Sequence, residues 1–312
     1  MIYNRNLRLD ILPTEECNFR CIYCYENFKI KKMDDGVIEG IKNLILARSK
    51  TLKNLEINWF GGEPMLAYDV IKDIMEYSKY LSIRYNFKLT SSMTTNGSLL
   101  TIKKFKELYE LYVRWFQISF DGDKDNHNKF RITREKTDTF DIIYNNILNL
   151  HKSNINSDIV IRLHLNKNNY QSIYNFIDRL SLDIGNDNRF KIFIRELSRL
   201  GGTNDKKLPV IDNQNEINYL LKKLRDRIKK SGLHIYKINN IEMCYAASMS
   251  QYLIRANGYI GKCTVALYDD KNIIGKINSD GTIIIDKDKL KYWIRGNFSN
   301  NIGELKCPLK YI

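Results

Sequence analysis

Cys17-Asn18-Phe19-Arg20-Cys21-Ile22-Tyr23-Cys24 places three thiols within eight residues. A loop this short can aim all three at one small object, yet three is one fewer than a structural zinc ion or a fully ligated cubane takes. The spacing therefore builds a site with one coordination position left open. A zinc knuckle is the competing reading, because Cys-x3-Cys and Cys-x2-Cys both fall within zinc-ligand spacing. It needs a distant fourth ligand to fold back, since the next histidine is His127 and the next cysteine is Cys244. A disulfide role fits less well. The chain opens Met1-Ile2-Tyr3-Asn4-Arg5-Asn6 with no apolar signal segment, so the thiols are expected in a reducing cytoplasm.

Outward from this loop, short β-branched or aromatic runs predict strands at Leu7 to Leu12, Leu55 to Trp59, Lys88 to Thr94, Trp115 to Ser119, Ile159 to Leu165 and Phe190 to Arg195. Helical spacing fills the gaps, as in Val37, Ile41, Leu44 and Ile45. Strands alternating with helices predict an α/β fold on a parallel sheet, with reactive groups at the strands' carboxyl ends. The cysteine loop follows the first strand. A helix is predicted from a cap at Asp212 to Gly232, and beyond it short segments (Tyr252 to Ile254, Ile273 to Ile277, Thr282 to Ile285) alternate with Asn257-Gly258 and Asp280-Gly281 turns. The expected division is residues 1–205, a bridging helix over 206–232 and a small α+β domain over 233–312.

Gly61-Gly62-Glu63-Pro64 follows the second strand. Two glycines let the backbone pass close to a ligand, the glutamate offers an acceptor to an ammonium group, and the proline stiffens the exit. With Cys-x3-Cys-x2-Cys and the aromatic Tyr23 before its last cysteine, the chain resembles the radical SAM superfamily. That resemblance implies a partial (β/α)6 barrel and a 4Fe-4S cluster on Cys17, Cys21 and Cys24. The open iron would chelate S-adenosylmethionine (AdoMet), whose cleavage yields a 5'-deoxyadenosyl radical. Thr94-Thr95-Asn96-Gly97 and Ile118-Ser119-Phe120-Asp121-Gly122, running on to Arg131, resemble the peptide- and sulfatase-modifying branch. The resemblance thus implies cofactor contacts from Tyr23, Gly61, Gly62, Glu63, Pro64, Asn96, Ser119 and Arg131. His127, His151, His164 and His234 have no metal-like spacing and are read as satisfied or exposed.

Cys244, thirteen residues, Gly258, four residues and Cys263 resemble the opening of SPASM and twitch modules, which hold auxiliary 4Fe-4S clusters; Cys307-Pro308 continues the likeness. A twitch module would place a further cysteine where Lys310 stands. Three readings stay open: an auxiliary cluster on Cys244, Cys263 and Cys307 with an open or non-cysteine fourth site, a chain cut short of its last ligands, or no auxiliary cluster. Sulfatase maturases carry an aspartate after the second of these cysteines, and Thr264 stands there instead. A threonine hydroxyl cannot take a proton unaided at neutral pH, which turns the reading away from formylglycine formation. Epimerisation needs a free thiol, and two clusters would claim all six. The expected activity is therefore cross-linking, thioether or carbon-carbon, of a ribosomally made peptide. Twitch-type oxidation of a small alcohol is an alternative.

At 43% hydrophobic content and with no run of about 18 apolar residues, no membrane role is expected. Fifty basic against 36 acidic residues give +14, which attracts acidic partners such as a flavodoxin or ferredoxin electron donor. No basic run is interleaved with aromatics, so a zinc-stabilised nucleic-acid-binding protein is the distant alternative. Sixteen residues precede Cys17, so leader recognition is expected from a separate leader-binding protein or from the C-terminal sheet edge.

Overall fold

The protein is described from a computed structural model, covering residues 5–237, 243–299 and 301–311. Strands β1 (Asn6–Ile11), β2 (Asn54–Trp59), β3 (Lys88–Thr95), β4 (Val113–Phe120), β5 (Asp158–Leu165), β6 (Phe190–Glu196) and β7 (His234–Ile235) pair in parallel in chain order. Helices α1 (Asp35–Ser49), α2 (Tyr68–Tyr85), α3 (Ile102–Glu110), α4 (Lys124–Phe130), α5 (Phe140–Lys152), α6 (Tyr170–Ile184) and α7 (Gln214–Lys230) fill the crossovers. All six predicted strands form, within two residues of their expected ends. The alternation of Leu7, Leu9 and Ile11 with Arg8 and Asp10 shows how this sheet works. Its apolar side chains are buried with those of α1 and α2, such as Ile41, Ile45, Ile71 and Ile74. Its polar ones line an interior cavity. A fully packed parallel sheet would be apolar on both faces.

The C-terminal part continues the same sheet. Strand β8 (Gln251–Ile254) lies parallel to β1, and β9 (Tyr259–Gly261), β10 (Gly275–Ile277) and β11 (Ile283–Ile285) follow antiparallel, giving the order β11-β10-β9-β8-β1-β2-β3-β4-β5-β6-β7. The sheet is an open, partial barrel. Short helices α8 (Lys287–Ile294), α9 (Gly296–Ser299) and α10 (Ile302–Lys306) close the described chain. Gly258 and Gly281 take positive φ of 80° and 84° at the two predicted turns, where a side chain would be strained.

One helix start differs from expectation. Asn213, not Asp212, caps α7, its side chain accepting from the amides of Asn215 and Glu216. Asp212 instead pairs with Lys167 and Arg199. Gly232 does follow the helix end, at φ 76°. Among the described residues no helix is long and apolar enough to cross a membrane.

Candidate active site

The cysteine loop leaves β1 at the carboxyl edge of the sheet and is pinned on three sides. Against the segment after α4, the Arg20 amide donates to the Ile132 carbonyl (2.8 Å) and the Ile22 amide to that of Phe130 (3.0 Å). From the far side, Gly202 packs so closely that a Cβ there would lie 2.3 Å from the Cys24 carbonyl oxygen, and Asn204 Nδ2 donates to the Ile22 carbonyl at 3.1 Å. Beneath it lies the Gly-Gly-Glu-Pro turn. A Cβ on Gly61, at φ 120°, would meet the Thr14 carbonyl at 2.3 Å, and one on Gly62 the Glu16 carbonyl at 2.3 Å. These glycines are thus required by contact with the cysteine loop itself.

Glu63 is wholly buried, and both carboxylate oxygens are engaged. Oε1 accepts from Thr95 Oγ1 (2.7 Å) and the Met65 amide (3.0 Å), and Oε2 from the Asn96 amide (2.6 Å). The carboxylate ties the end of β2 to the end of β3, and Pro64 opens the short 3-10 turn that follows. Burial pushes the Glu63 acid up, with those three hydrogen bonds pulling the other way. Asn96 reaches back to the loop: its Nδ2 donates to Asn18 Oδ1 at 2.8 Å and comes within 3.9 Å of Cys17 Sγ.

Tyr23 is tied down by its hydroxyl, which donates to Asp121 Oδ2 (2.8 Å) and accepts from Arg131 (2.7 Å). Asp121 also meets His164 Nδ1 at 3.2 Å, and the His164 ring lies 5.1 Å from that of Tyr23. Arg131 is buried, and its Nε has no hydrogen-bond partner. Ser119 lies buried on β4, in register with Arg162. The structure therefore gathers Tyr23, the Gly61–Pro64 turn, Asn96 and Arg131 around the three thiols, directly or through one intervening contact.

These residues fit the cofactors implied by the motif. Burial first, then Glu63 for Cys17 and Glu26 for Cys24, raises those thiols, Cys24 to about 12. Iron ligation would reverse that preference, because a bound cation takes a thiol as its thiolate. The unpartnered Arg131 Nε offers a buried donor to an anionic group. Among the described residues no three His, Cys, Asp or Glu side chains converge as one metal ion requires. A cubane asks for wider spacing, because each thiolate binds a different iron.

Cys244, Cys263 and Cys307 form a second group, near enough that each neighbouring thiol helps to raise Cys244, after burial. The Cys244 amide donates to the Leu305 carbonyl (2.7 Å), and the Cys263 amide to Asn272 Oδ1 (3.0 Å). The two groups are joined. Tyr25, directly after Cys24, donates to the carbonyl of Thr264, directly after Cys263, at 2.9 Å; the Thr264 hydroxyl meets the hydroxyl of Tyr245 at 2.7 Å. All six cysteines are free thiols.

Tyr245 and Thr264 also border a cavity of ≈ 510 Å³ inside the partial barrel. Its wall is layered by strand register, with Arg8, Glu56 and Thr90 in one layer and Asp10, Asn58 and Ser92 in the next. Phe60 and Thr94 lie at the end nearest Gly61 and Asn96. Sequence reasoning missed this cavity, the Asp121–His164 anchor of Tyr23 and the Gly202 contact. The cavity was signalled by the polar members of the alternating strands, whereas the other two depend on residues brought from distant crossovers.

The sequence model of the radical SAM superfamily matches residues 11–180, more than half of the chain. The cysteine-type anaerobic sulfatase-maturating enzyme of Clostridium novyi is 27% identical over 297 residues, covering 86% of this chain and 76% of that protein. A GTP 3',8-cyclase of Thermodesulfovibrio yellowstonii is 36% identical, over 42% of this chain and 40% of its own length. Among solved structures, native anSMEcpe with bound AdoMet and Cp18Cys peptide superposes with a TM-score of 0.69 at 20% identity, covering 96% of this chain and 82% of the other. Streptococcus suis SuiB bound to precursor peptide SuiA gives 0.61 at 16%, covering 94% and 66%. Motif, barrel and family match agree: the chain belongs to the radical SAM superfamily, whose members use a 4Fe-4S cluster and AdoMet.

Proposed function

We propose that this enzyme modifies a ribosomally made peptide by forming a cross-link between side chains, with Cys17, Cys21 and Cys24 holding the AdoMet-binding cluster. When bound, that cofactor pair supplies the electron and the hydrogen abstraction that open an inert carbon to reaction. The protein's own part is positional. The Gly61–Gly62 turn lets the cysteine loop pack against it, Asn96 and Glu63 fix the loop beside Cys17, and Tyr23 is locked by Asp121 and Arg131. Ser119 and Arg131 are assigned to the cofactor's polar groups.

The observation that carries the choice of reaction is Thr264, which borders the cavity with its hydroxyl engaged by Tyr245 where an acid would be needed for formylglycine formation. Cys244, Cys263 and Cys307 would hold an auxiliary 4Fe-4S cluster, which would supply an acceptor for the second electron, within a C-terminal module over 233–312 joined to the 1–205 core by 206–232. Peptide-bound relatives support a peptide substrate. An acidic flavodoxin or ferredoxin as donor, a separate leader-binding protein and a cytoplasmic setting complete the reading.

Sulfatase-type maturation is the second reading, favoured by the 86% coverage in the Clostridium novyi match. Anaerobically reconstituted enzyme, reduced with AdoMet, is expected to release 5'-deoxyadenosine. With a peptide encoded beside its gene, it should yield a product lighter by two hydrogens and inert to aldehyde-reactive hydrazide. A hydrazide-reactive product would transfer the enzyme to the second reading, and no 5'-deoxyadenosine would remove both.

A further inference from the structure

The interior cavity is acidic in a protein that carries +14 overall. Its charged lining is Arg8, Asp10 and Glu56. Arg8 is already committed, pairing with Asp10 at 3.0 Å and with Glu56 Oε1 at 3.1 Å. Asp10 is closed off as well, taking Asn58 Nδ2 (3.0 Å) and Gln251 Nε2 (2.7 Å) besides Arg8. Glu56 differs. Oε1 takes Asn58 Nδ2 (3.0 Å) and Arg8; the side chain is 43% exposed, and the residue is part of the cavity lining. One net negative charge therefore borders a space walled by Phe60, Trp115 and Tyr236, with the Trp115 and Tyr236 rings edge-on at 6.0 Å, while the Tyr245 ring is already covered by the Arg8 guanidinium at 5.0 Å. A carboxylate among aromatic faces is the chemistry that accepts an organic cation.

Depth narrows the choice. Four chain steps lead from Glu56 on β2 to Phe60 just past its end, roughly 13 Å at a strand's rise of about 3.3 Å per residue. A short polar side chain entering beside Phe60 cannot span that distance, whereas a long cationic one extends along it. We infer that the cavity is a side-chain subsite for a lysine or arginine of the substrate, with Glu56 as its specificity-determining acceptor. This rests on the reading of a peptide substrate entering the barrel.

The test is equilibrium binding, which needs no turnover and so is separable from the 5'-deoxyadenosine assay. Full-length reconstituted enzyme with AdoMet is titrated with the N-acetyl methylamides of lysine and arginine and of their uncharged counterparts norleucine and citrulline. The charged pair should bind about tenfold more tightly, as one charge-assisted contact warrants. Glu56→Gln should erase that preference and Glu56→Asp retain part of it, with thermal melting confirming that both variants fold. Equal binding of charged and neutral probes, no binding of either, or a preference that survives E56Q would overturn the assignment.

Discussion

The two cysteine groups differ in what holds them. The N-terminal loop is gripped by long-range contacts to five crossovers: the Gly61–Pro64 turn, Asn96, Asp121 with Arg131, His164, and Gly202 with Asn204. Cys244, Cys263 and Cys307 sit among short strands, 3-10 turns and helices of four to eight residues, with fewer anchors: Asn272 on Cys263, the Leu305 carbonyl on Cys244 and the bond from Tyr25 to Thr264. Cofactor cleavage asks for sub-ångström placement and receives a frame built from the whole barrel. The second group lies among short elements with fewer cross-links, where local rearrangement costs less.

The sharpest way to break this contrast is to remove one thiol from each group. Cys21→Ala should lower AdoMet cleavage by about three orders of magnitude, while Cys263→Ala should leave cleavage within a few-fold and abolish product formation. Iron analysis should fall from about eight to about four per chain in each variant. Equal loss of cleavage in both would show that the groups do not divide the labour.

Gly62→Ala comes next. Its Cβ has no room beside the Glu16 carbonyl, so a loss of about 2 kcal/mol or more in denaturant unfolding is expected, together with poor cluster incorporation. Tyr23→Phe should cost about 1–2 kcal/mol and slow cleavage, because it leaves buried Asp121 and Arg131 each short of a partner. If Y23F melts like the parent, the anchor is not part of the frame.

The smallest effect is expected away from both groups. Burial opposes ionisation of Asp187, but Arg189 and His151 hold its carboxylate down at about 2. A depressed acid contributes stability above its unfolded value and loses it as pH falls toward the folded one. Asp187→Asn should therefore cost about 1 kcal/mol at pH 7, after allowance for solvent screening, and progressively less as pH falls through about 2. A constant difference across that range would assign the loss to packing instead.

Local pattern carried the strands, the thiol motif and the glycine turns, because period-2 alternation and short cysteine spacing are written in adjacent residues. What Glu63 does was less visible. As an acceptor for an ammonium group it reads plausibly in sequence, yet its oxygens are taken by Thr95, Met65 and Asn96, a consequence of β2 and β3 ending side by side. Asp121 had no role of its own in the stretch from Ile118 to Gly122, and it is buried under Tyr23. Asp212 lost the α7 cap to its neighbour because Lys167 and Arg199 compete for its carboxylate. In each case the deciding partner lies tens of residues away, where spacing within a segment holds no information.

Strand β1 is flanked on both sides, by β2 and by β8, and the Glu15 carboxylate just beyond it forms a buried pair with Arg255 at 2.8 Å. The tail is thus not a detachable accessory. Cutting it away would turn the central strand into a bare rim, strand an unneutralised charge in the interior and invite self-association. Transplanting the C-terminal piece onto another barrel would demand a matching first strand and acid.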